Sequence, residues 1–84
     1  MRLSARRFVE CAADPRLFHA ELAARSPASQ EWRSIAALYV IGCLNRRVEL
    51  SRVLEVAREL ATLDAQRYGL LLGTVQARLR GDER

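Results

Sequence analysis

The feature that constrains this chain most is a run of ten consecutive residues without a charge, residues 35–44. A surface helix has one apolar stripe and one polar face, whereas this run is apolar on every side. A helix that crosses a bilayer needs about 20 apolar residues, so the run is too short to do so. Charged residues enclose it, with Glu31 and Arg33 before it and Arg46 and Arg47 after it. We therefore predict that it is the buried central helix of a compact all-α bundle of four to five short helices.

A chain of 84 residues has room for one domain, which we place at residues 1–84. A domain of this size buries only about 60–65% of its unfolded surface, so its stability is marginal without a partner or a covalent link. Cys11 and Cys43 both fall in apolar helical patterns, where a free thiol behaves as a small apolar side chain. A disulfide between them is the alternative. One histidine and no closely spaced cysteines predict neither a metal site nor a cofactor.

The chain has a formal charge of +4, and all 14 basic residues are arginines. The absence of lysine fits the codon usage of a GC-rich bacterial genome, and it also favours the bidentate contacts that arginine makes at interfaces. The basic N-terminal residues are not followed by a long apolar segment, which argues against a signal peptide. We expect a cytoplasmic protein that does not insert into a membrane.

Two start signals near the N terminus predict two short helices. Ser4 suits the N-cap of a helix over residues 5–12. Asp14 followed by Pro15 is the strongest helix start in the sequence, because aspartate caps and proline fits the first helical position; it predicts a helix over residues 15–24. The side chains expected to face the core are Phe8, Val9 and Ala12 in the first helix, and Leu17, Phe18, Leu22 and Ala24 in the second.

Two polar features belong to the second of these helices. Glu21 and Arg25 are four residues apart and should form an ion pair on its surface. His19 falls opposite Phe18 and beside Arg16, so we expect a solvated surface histidine.

The next two helices follow from capping residues and periodicity. The central helix begins at Ser26 or after Ser29 and ends near residues 45–47. One of its faces carries Trp32, Ile35 or Ala36, Tyr39 and Cys43, and another carries Leu38 and Ile41. Residues 50–63 have apolar side chains at i, i+3, i+4 and i+7 spacing with a polar opposite face, which predicts an amphipathic helix.

The last helix carries an unusual second stripe. Asp64 should cap a helix over residues 65–80 whose core stripe is Tyr68, Leu71, Leu72, Val75 and Leu79; residues 81–84 then form a C-cap and a disordered tail. Gly69, Gly73 and Ala77 make a stripe of small residues, and Leu70 lies between the glycines facing away from the core stripe. Each interior glycine costs about 1 kcal/mol relative to alanine, which favours close approach by another helix. The residues predicted to bind a partner are Gly69, Leu70, Gly73, Ala77, Arg46 and Arg47.

Two segments of the chain match each other at a separation of 31 residues. Residues 40–47 and 71–78 each read aliphatic, aliphatic, Gly, small, aliphatic, amide, and then a basic end. Between them, residues 59–65 look like the end of a tetratricopeptide repeat, in which a second helix closes with a leucine-aspartate-proline turn. Residues 32–80 therefore resemble a tetratricopeptide-like helical hairpin.

The match to that family departs at several positions. The spacing is shorter than the usual period of about 34 residues. Ala65 stands in place of the proline, and Val53 and Leu60 stand where small alanines are usual. The resemblance implies a helical hairpin like those of small bacterial chaperones and adaptors, which bind a helix of a partner protein.

The sequence contains no catalytic constellation. Glu55 and Glu59 are four residues apart beside Arg52 and Arg58, which is typical of a solvated face. His19 has no serine or cysteine at a meaningful spacing, and the glycines do not follow a predicted strand, so a phosphate-binding loop has no support. We expect no enzymatic activity and no small-molecule substrate.

Two classes of function therefore remain. The first is a protein–protein interaction module, an adaptor, chaperone-like protein or assembly subunit that binds a partner helix or a second copy of itself. The alternative is a small basic nucleic-acid-binding or regulatory protein. Its binding residues would be the arginines near the predicted helix ends: Arg2, Arg6, Arg7, Arg46, Arg47, Arg78 and Arg80.

Overall fold

The computed structural model describes residues 3–82, apart from the side chain of Asp82. These residues form five α-helices and one 3₁₀ turn, and none of them forms a strand, so the predicted all-α class is confirmed. In chain order the elements are α1 (Ala5–Ala13), the 3₁₀ turn (Pro15–Leu17), α2 (Phe18–Ala23), α3 (Gln30–Arg46), α4 (Leu50–Leu63) and α5 (Ala65–Asp82).

Side-chain caps mark the starts of α1 and α3. Ser4 Oγ accepts a hydrogen bond from the Arg7 N–H at 3.1 Å, as an N-cap does. Ser29 Oγ accepts from the Trp32 N–H at 3.1 Å, so the central helix begins after Ser29 and not at Ser26. The predicted helix over residues 15–24 is instead divided into the 3₁₀ turn and the six-residue α2.

Helix α3 forms the centre of the core, as predicted. Tyr39 is fully buried and Trp32 nearly so, and the Tyr39 hydroxyl donates a 3.1 Å hydrogen bond to Glu49 Oε1. Helices α2 and α4 and the 3₁₀ turn pack around it, and α5 packs against α4. The buried side chains of α3 are Trp32, Ile35, Ala36, Tyr39, Val40, Cys43 and Leu44.

The uncharged run is not buried on every side, which corrects the sequence prediction. Leu38 is 37% exposed and Ile41 is 48% exposed. The shortest extent of the molecule is 16 Å between Cα positions, which is about two layers of helix. A bundle only two layers thick leaves one side of its central helix uncovered, however apolar that side is.

Several side chains near the N terminus also face outward against expectation. Phe8 is 42% exposed, Val9 is 66% exposed and Ala12 is exposed, while the buried residue of α1 is Cys11. Leu17 and Ala24 are exposed as well. Helix α1 lies at the rim of the bundle, so only its Cys11 side has a neighbour to pack against.

Helices α4 and α5 form a hairpin joined by Asp64 alone. The bounds predicted for α4 are confirmed, and Asp64 Oδ1 accepts from the Arg67 N–H at 3.1 Å. Helix α5 continues through Gly81, so the predicted C-cap there is wrong; residues 83–84 of the predicted tail lie outside the described residues. Within residues 3–82, no helix is both long and apolar enough to cross a membrane.

Candidate interaction surfaces

The predicted partner-binding residues of α5 lie on one exposed surface. Gly69, Leu70, Gly73 and Ala77 are all exposed, and we call them the α5 face. Leu70 is 87% exposed, the highest value for a large apolar side chain in the described residues. The core side of the same helix is anchored by the buried Tyr68 and Val75. Leu70 thus points away from the core stripe, as the helical spacing predicts.

The two glycines of the α5 face have no internal neighbour. A Cβ atom built on Gly69 or on Gly73 would meet nothing within 4 Å. A Cβ on Gly42 of α3 would lie 3.1 Å from Pro15 Cγ, so only there does close approach within the chain require a glycine. The cost of Gly69 and Gly73 is therefore not offset by packing inside the described part of the chain.

One of the two predicted arginines lies beside the α5 face and the other does not. Arg47 and Ala77 line the same groove, together with Thr74, Arg78 and Gly81. Arg46 instead donates from Nη2 to the Ala12 carbonyl oxygen at 3.1 Å, which places its guanidinium beside α1. Arg46 therefore lies apart from the α5 face, because adjacent residues of a helix end point in different directions.

A second apolar surface, which was not predicted from the sequence, lies between α1 and α3. We call it the α1–α3 face; it consists of Phe8, Leu38 and Ile41. Phe8 and Leu38 line one groove, which also includes Leu3 and Ile35. Leu38 and Ile41 are one helical turn apart on the side of α3 away from Tyr39 and Cys43. That separate stripe was visible in the sequence, but the absence of charges suggested burial.

A polar cluster of His19, Tyr39 and Glu49 links α2 and α3 to the connection between α3 and α4. Glu49 Oε1 accepts hydrogen bonds from His19 Nε2 at 2.8 Å and from the Tyr39 hydroxyl at 3.1 Å. The His19 side chain is 31% exposed and its ring centroid lies 5.2 Å from that of Tyr39, so His19 is not the solvated surface histidine that was expected. Desolvation would raise the pKa of Glu49, but the hydrogen bonds from His19 and Tyr39 outweigh it and lower that pKa. The carboxylate therefore stays charged and holds α2 and α3 to this connection.

The two cysteines are free and fully buried. Burial raises the pKa of the Cys43 thiol to about 11, and burial also raises the pKa of Cys11. A thiol with a raised pKa holds little thiolate at neutral pH, so neither cysteine is suited to nucleophilic chemistry.

Several arginines of the nucleic-acid hypothesis have partners inside the chain. Arg7 Nε donates to Glu21 Oε2 at 3.0 Å, and Arg78 Nη1 donates to the Leu44 carbonyl oxygen at 3.5 Å. Arg46 is held by Ala12, as described above. Arg2 lies outside the described residues. These contacts give three of the guanidinium groups hydrogen-bond partners within the chain.

Among the described side chains, no group of three or more His, Cys, Asp or Glu residues could hold a metal ion. Comparison of the chain with protein-family models, with curated protein sequences and with solved structures finds no match.

Proposed function

We propose that this chain is a small helical protein–protein interaction module that binds a helix of another protein along the α5 face. Its role is binding and not catalysis, with no small-molecule substrate. The observation that carries the proposal is the exposure of Leu70 between two glycines that no other part of the described chain covers. An exposed aliphatic side chain between small residues is a surface onto which a second helix can pack closely.

The internal match between residues 40–47 and 71–78 supports the same surface. Gly42 and Gly73 occupy equivalent positions in these two segments. Pro15 covers Gly42, whereas the space above Gly73 is open. A partner helix on the α5 face would cover Gly73 in the way that the 3₁₀ turn covers Gly42.

Charge indicates which partner fits the α5 face. Helix α5 contains Arg67, Arg78 and Arg80, and Asp82 at its end is its one acidic residue. Arg47 adds a further guanidinium beside Ala77. If a second copy packed antiparallel across Gly73, Arg67 of one chain would approach Arg80 of the other, which is unfavourable. A partner helix with an apolar stripe and acidic residues at its borders avoids this repulsion.

The resemblance to a tetratricopeptide-like hairpin remains a hypothesis that agrees with this role. We also assign the module to the cytoplasm as part of the proposal, because two free buried cysteines are compatible with a reducing compartment. An adaptor or chaperone-like role would need no chemistry beyond the recognition of a helix.

The test is affinity capture from the source cells with wild type, Leu70→Asp and Gln76→Asp as baits at high salt. Both variants place the same charge on an exposed position of α5, but Gln76 lies on another edge of the helix, beside Leu54 and Leu79. We expect a protein that wild type and Gln76→Asp retain and Leu70→Asp loses, while circular dichroism shows equal helix content in all three.

Two outcomes would contradict the proposal. Recovery of the same proteins by all three baits would show that the α5 face is not the binding surface. Recovery of nucleic acid that Leu70→Asp leaves unchanged, and that salt abolishes, would favour the nucleic-acid alternative.

A further inference from the structure

The exposed side of α3 carries a stripe of five uncharged residues, and Glu31 lies at its border, in the groove that Phe8 and Leu38 line. The residues that follow one another along this side are Gln30, Ser34, Leu38, Ile41 and Asn45, and all five are exposed. Leu38 and Ile41 occupy the middle, and uncharged polar residues occupy both ends. Phe8 widens the apolar middle, because it lines a groove together with Leu38.

This order is nearly symmetric about a point between Tyr39 and Val40. If two copies of α3 pack antiparallel across that point, Leu38 of each chain meets Ile41 of the other, and Ser34 meets Asn45. The apolar side chains then bury one another, and the hydroxyl and amide groups at the ends can form hydrogen bonds. None of these four stripe residues is charged, so the stripe itself brings no like charges together.

We propose that the α1–α3 face is the interface of a homodimer in which two α3 helices pack antiparallel about a two-fold axis. A two-fold interface uses the same surface on both chains, so it must be complementary to itself, and the polarity order of α3 meets that condition. The proposal is independent of the function proposed above, because it concerns another surface and another occupant.

The area of the molecule permits such a dimer. A specific interface covers about 800 Å² on each partner, which is about 15% of the 5486 Å² surface of this chain. The exposed parts of Phe8, Leu38 and Ile41 would form its apolar centre. The exposed side of α1, which includes Arg6 and Glu10, would contribute to the polar rim.

The first test is sedimentation of the wild type from about 1 to several hundred micromolar. We expect the mass to rise from the 9.5 kDa of one chain toward twice that value. Ile41→Asp should remain monomeric throughout, because two buried carboxylates would meet the apolar centre of the partner. Leu70→Asp is the matched control and should dimerise as wild type does. Because Ile41 is half exposed, the melting temperature of Ile41→Asp should stay close to that of wild type.

The second test checks the register. In the proposed pairing Ser34 faces Asn45 of the partner, while the two copies of Ser34 are about 16 Å apart at 1.5 Å per residue. A mixture of the single variants Ser34→Cys and Asn45→Cys should therefore form an intermolecular disulfide that neither variant forms alone. The native Cys11 and Cys43 are buried and do not compete.

Three results would overturn the proposal. One is a strictly monomeric wild type at several hundred micromolar. Another is a dimer that Leu70→Asp dissolves and Ile41→Asp does not, because it would place self-association on the α5 face. The third is cross-linking of Ser34→Cys with itself, because it would exclude the antiparallel register.

Discussion

Two segments with the same sequence pattern, residues 40–47 in α3 and 71–78 in α5, have different surroundings. In the first, Gly42 contacts Pro15 and Cys43 is fully buried. At the equivalent positions of the second, Gly73 is open and Thr74 is exposed, with its hydroxyl donating to the Leu70 carbonyl oxygen at 2.9 Å. The local pattern is therefore compatible with either burial or exposure.

The difference comes from what lies outside the two segments. The 3₁₀ turn and α2 form a layer over α3, anchored by the buried Pro15, Phe18 and Leu22. Among the described residues, no equivalent layer covers the α5 face. Helix α5 makes its main contacts with α4, through the opposite side. A glycine inside a helix can therefore lie against another element of the chain, as Gly42 does, or face open space, as Gly73 does. The tertiary structure is needed to tell these two cases apart.

The largest expected contrast between the segments is in thiol reactivity. Cys43 should be alkylated far more slowly than a cysteine introduced by Thr74→Cys at pH 7.5 without denaturant. Burial raises the pKa of the Cys43 thiol from 9.0 to about 11, which alone lowers the thiolate fraction about 100-fold. Mass spectrometry of the labelled peptides measures the two rates in one sample.

Urea provides the control for this experiment, since unfolding should bring the two rates close together. Rapid labelling of Cys43 in the native chain would show that the layer over α3 opens readily, and the two segments would then not differ as described.

The next largest contrast is expected in the free energy of unfolding when each of the two glycines is replaced by leucine. Gly42→Leu should lower the free energy of unfolding by about 1–3 kcal/mol, because even a Cβ there lies 3.1 Å from Pro15 Cγ and overpacking costs that much. Gly73→Leu should change it by less than about 1 kcal/mol, because its side chain enters open space and leucine favours a helix. Urea denaturation followed by circular dichroism measures both. Equal destabilisation by the two variants would mean that Gly73 has an internal neighbour.

Acid should loosen the layer over α3 before it affects the α4–α5 hairpin. The pKa of Asp14 is lowered by its hydrogen bonds from Arg16, and that of Glu21 by its hydrogen bond from Arg7. Desolvation would raise the pKa of Glu49, but hydrogen bonds from His19 and Tyr39 lower it. The unfolded chain then binds more protons than the folded chain, so the stability from these carboxylates is complete above about pH 5 and is lost as the pH falls through their lowered pKa values.

Amide hydrogen exchange, corrected for its intrinsic pH dependence, measures this loosening. Protection of residues 14–23 should fall about tenfold for each unit by which a pKa is lowered, whereas amides around Leu60 and Val75 should change less. A parallel loss in both regions would show that the molecule opens as one unit and that the layer has no separate stability.

The sequence predicted most of the helices of this fold but not what each of them packs against, and it did not predict that residues 15–24 divide into a 3₁₀ turn and α2. The bounds of α4 and the outward direction of Leu70 follow from a helical period, which is a local property. Tertiary packing decides the exposure of Ile41 and Phe8. It also decides the hydrogen bond between His19 and Glu49, which lie 30 residues apart in the sequence. For the candidate site, local spacing identified the α5 face, but it could not show that Arg46 points toward α1 or that α3 has an exposed apolar side.

The smallest expected effect concerns the addition of a single methyl group at the same two glycines. Gly73→Ala should raise the free energy of unfolding by about 1 kcal/mol, because alanine is the better helix former and the new Cβ meets nothing within 4 Å. Gly42→Ala should give a clearly smaller gain or a loss, because Pro15 must move by a few tenths of an ångström to admit the methyl group. A gain at Gly73 that also weakens capture of a partner would mean that the glycine serves binding at the expense of stability. If Gly73→Ala gains stability and still captures the partner, the space between the two helices admits a methyl group. Capture by Gly73→Leu, whose side chain is larger, would then show whether the α5 face contacts a partner at all.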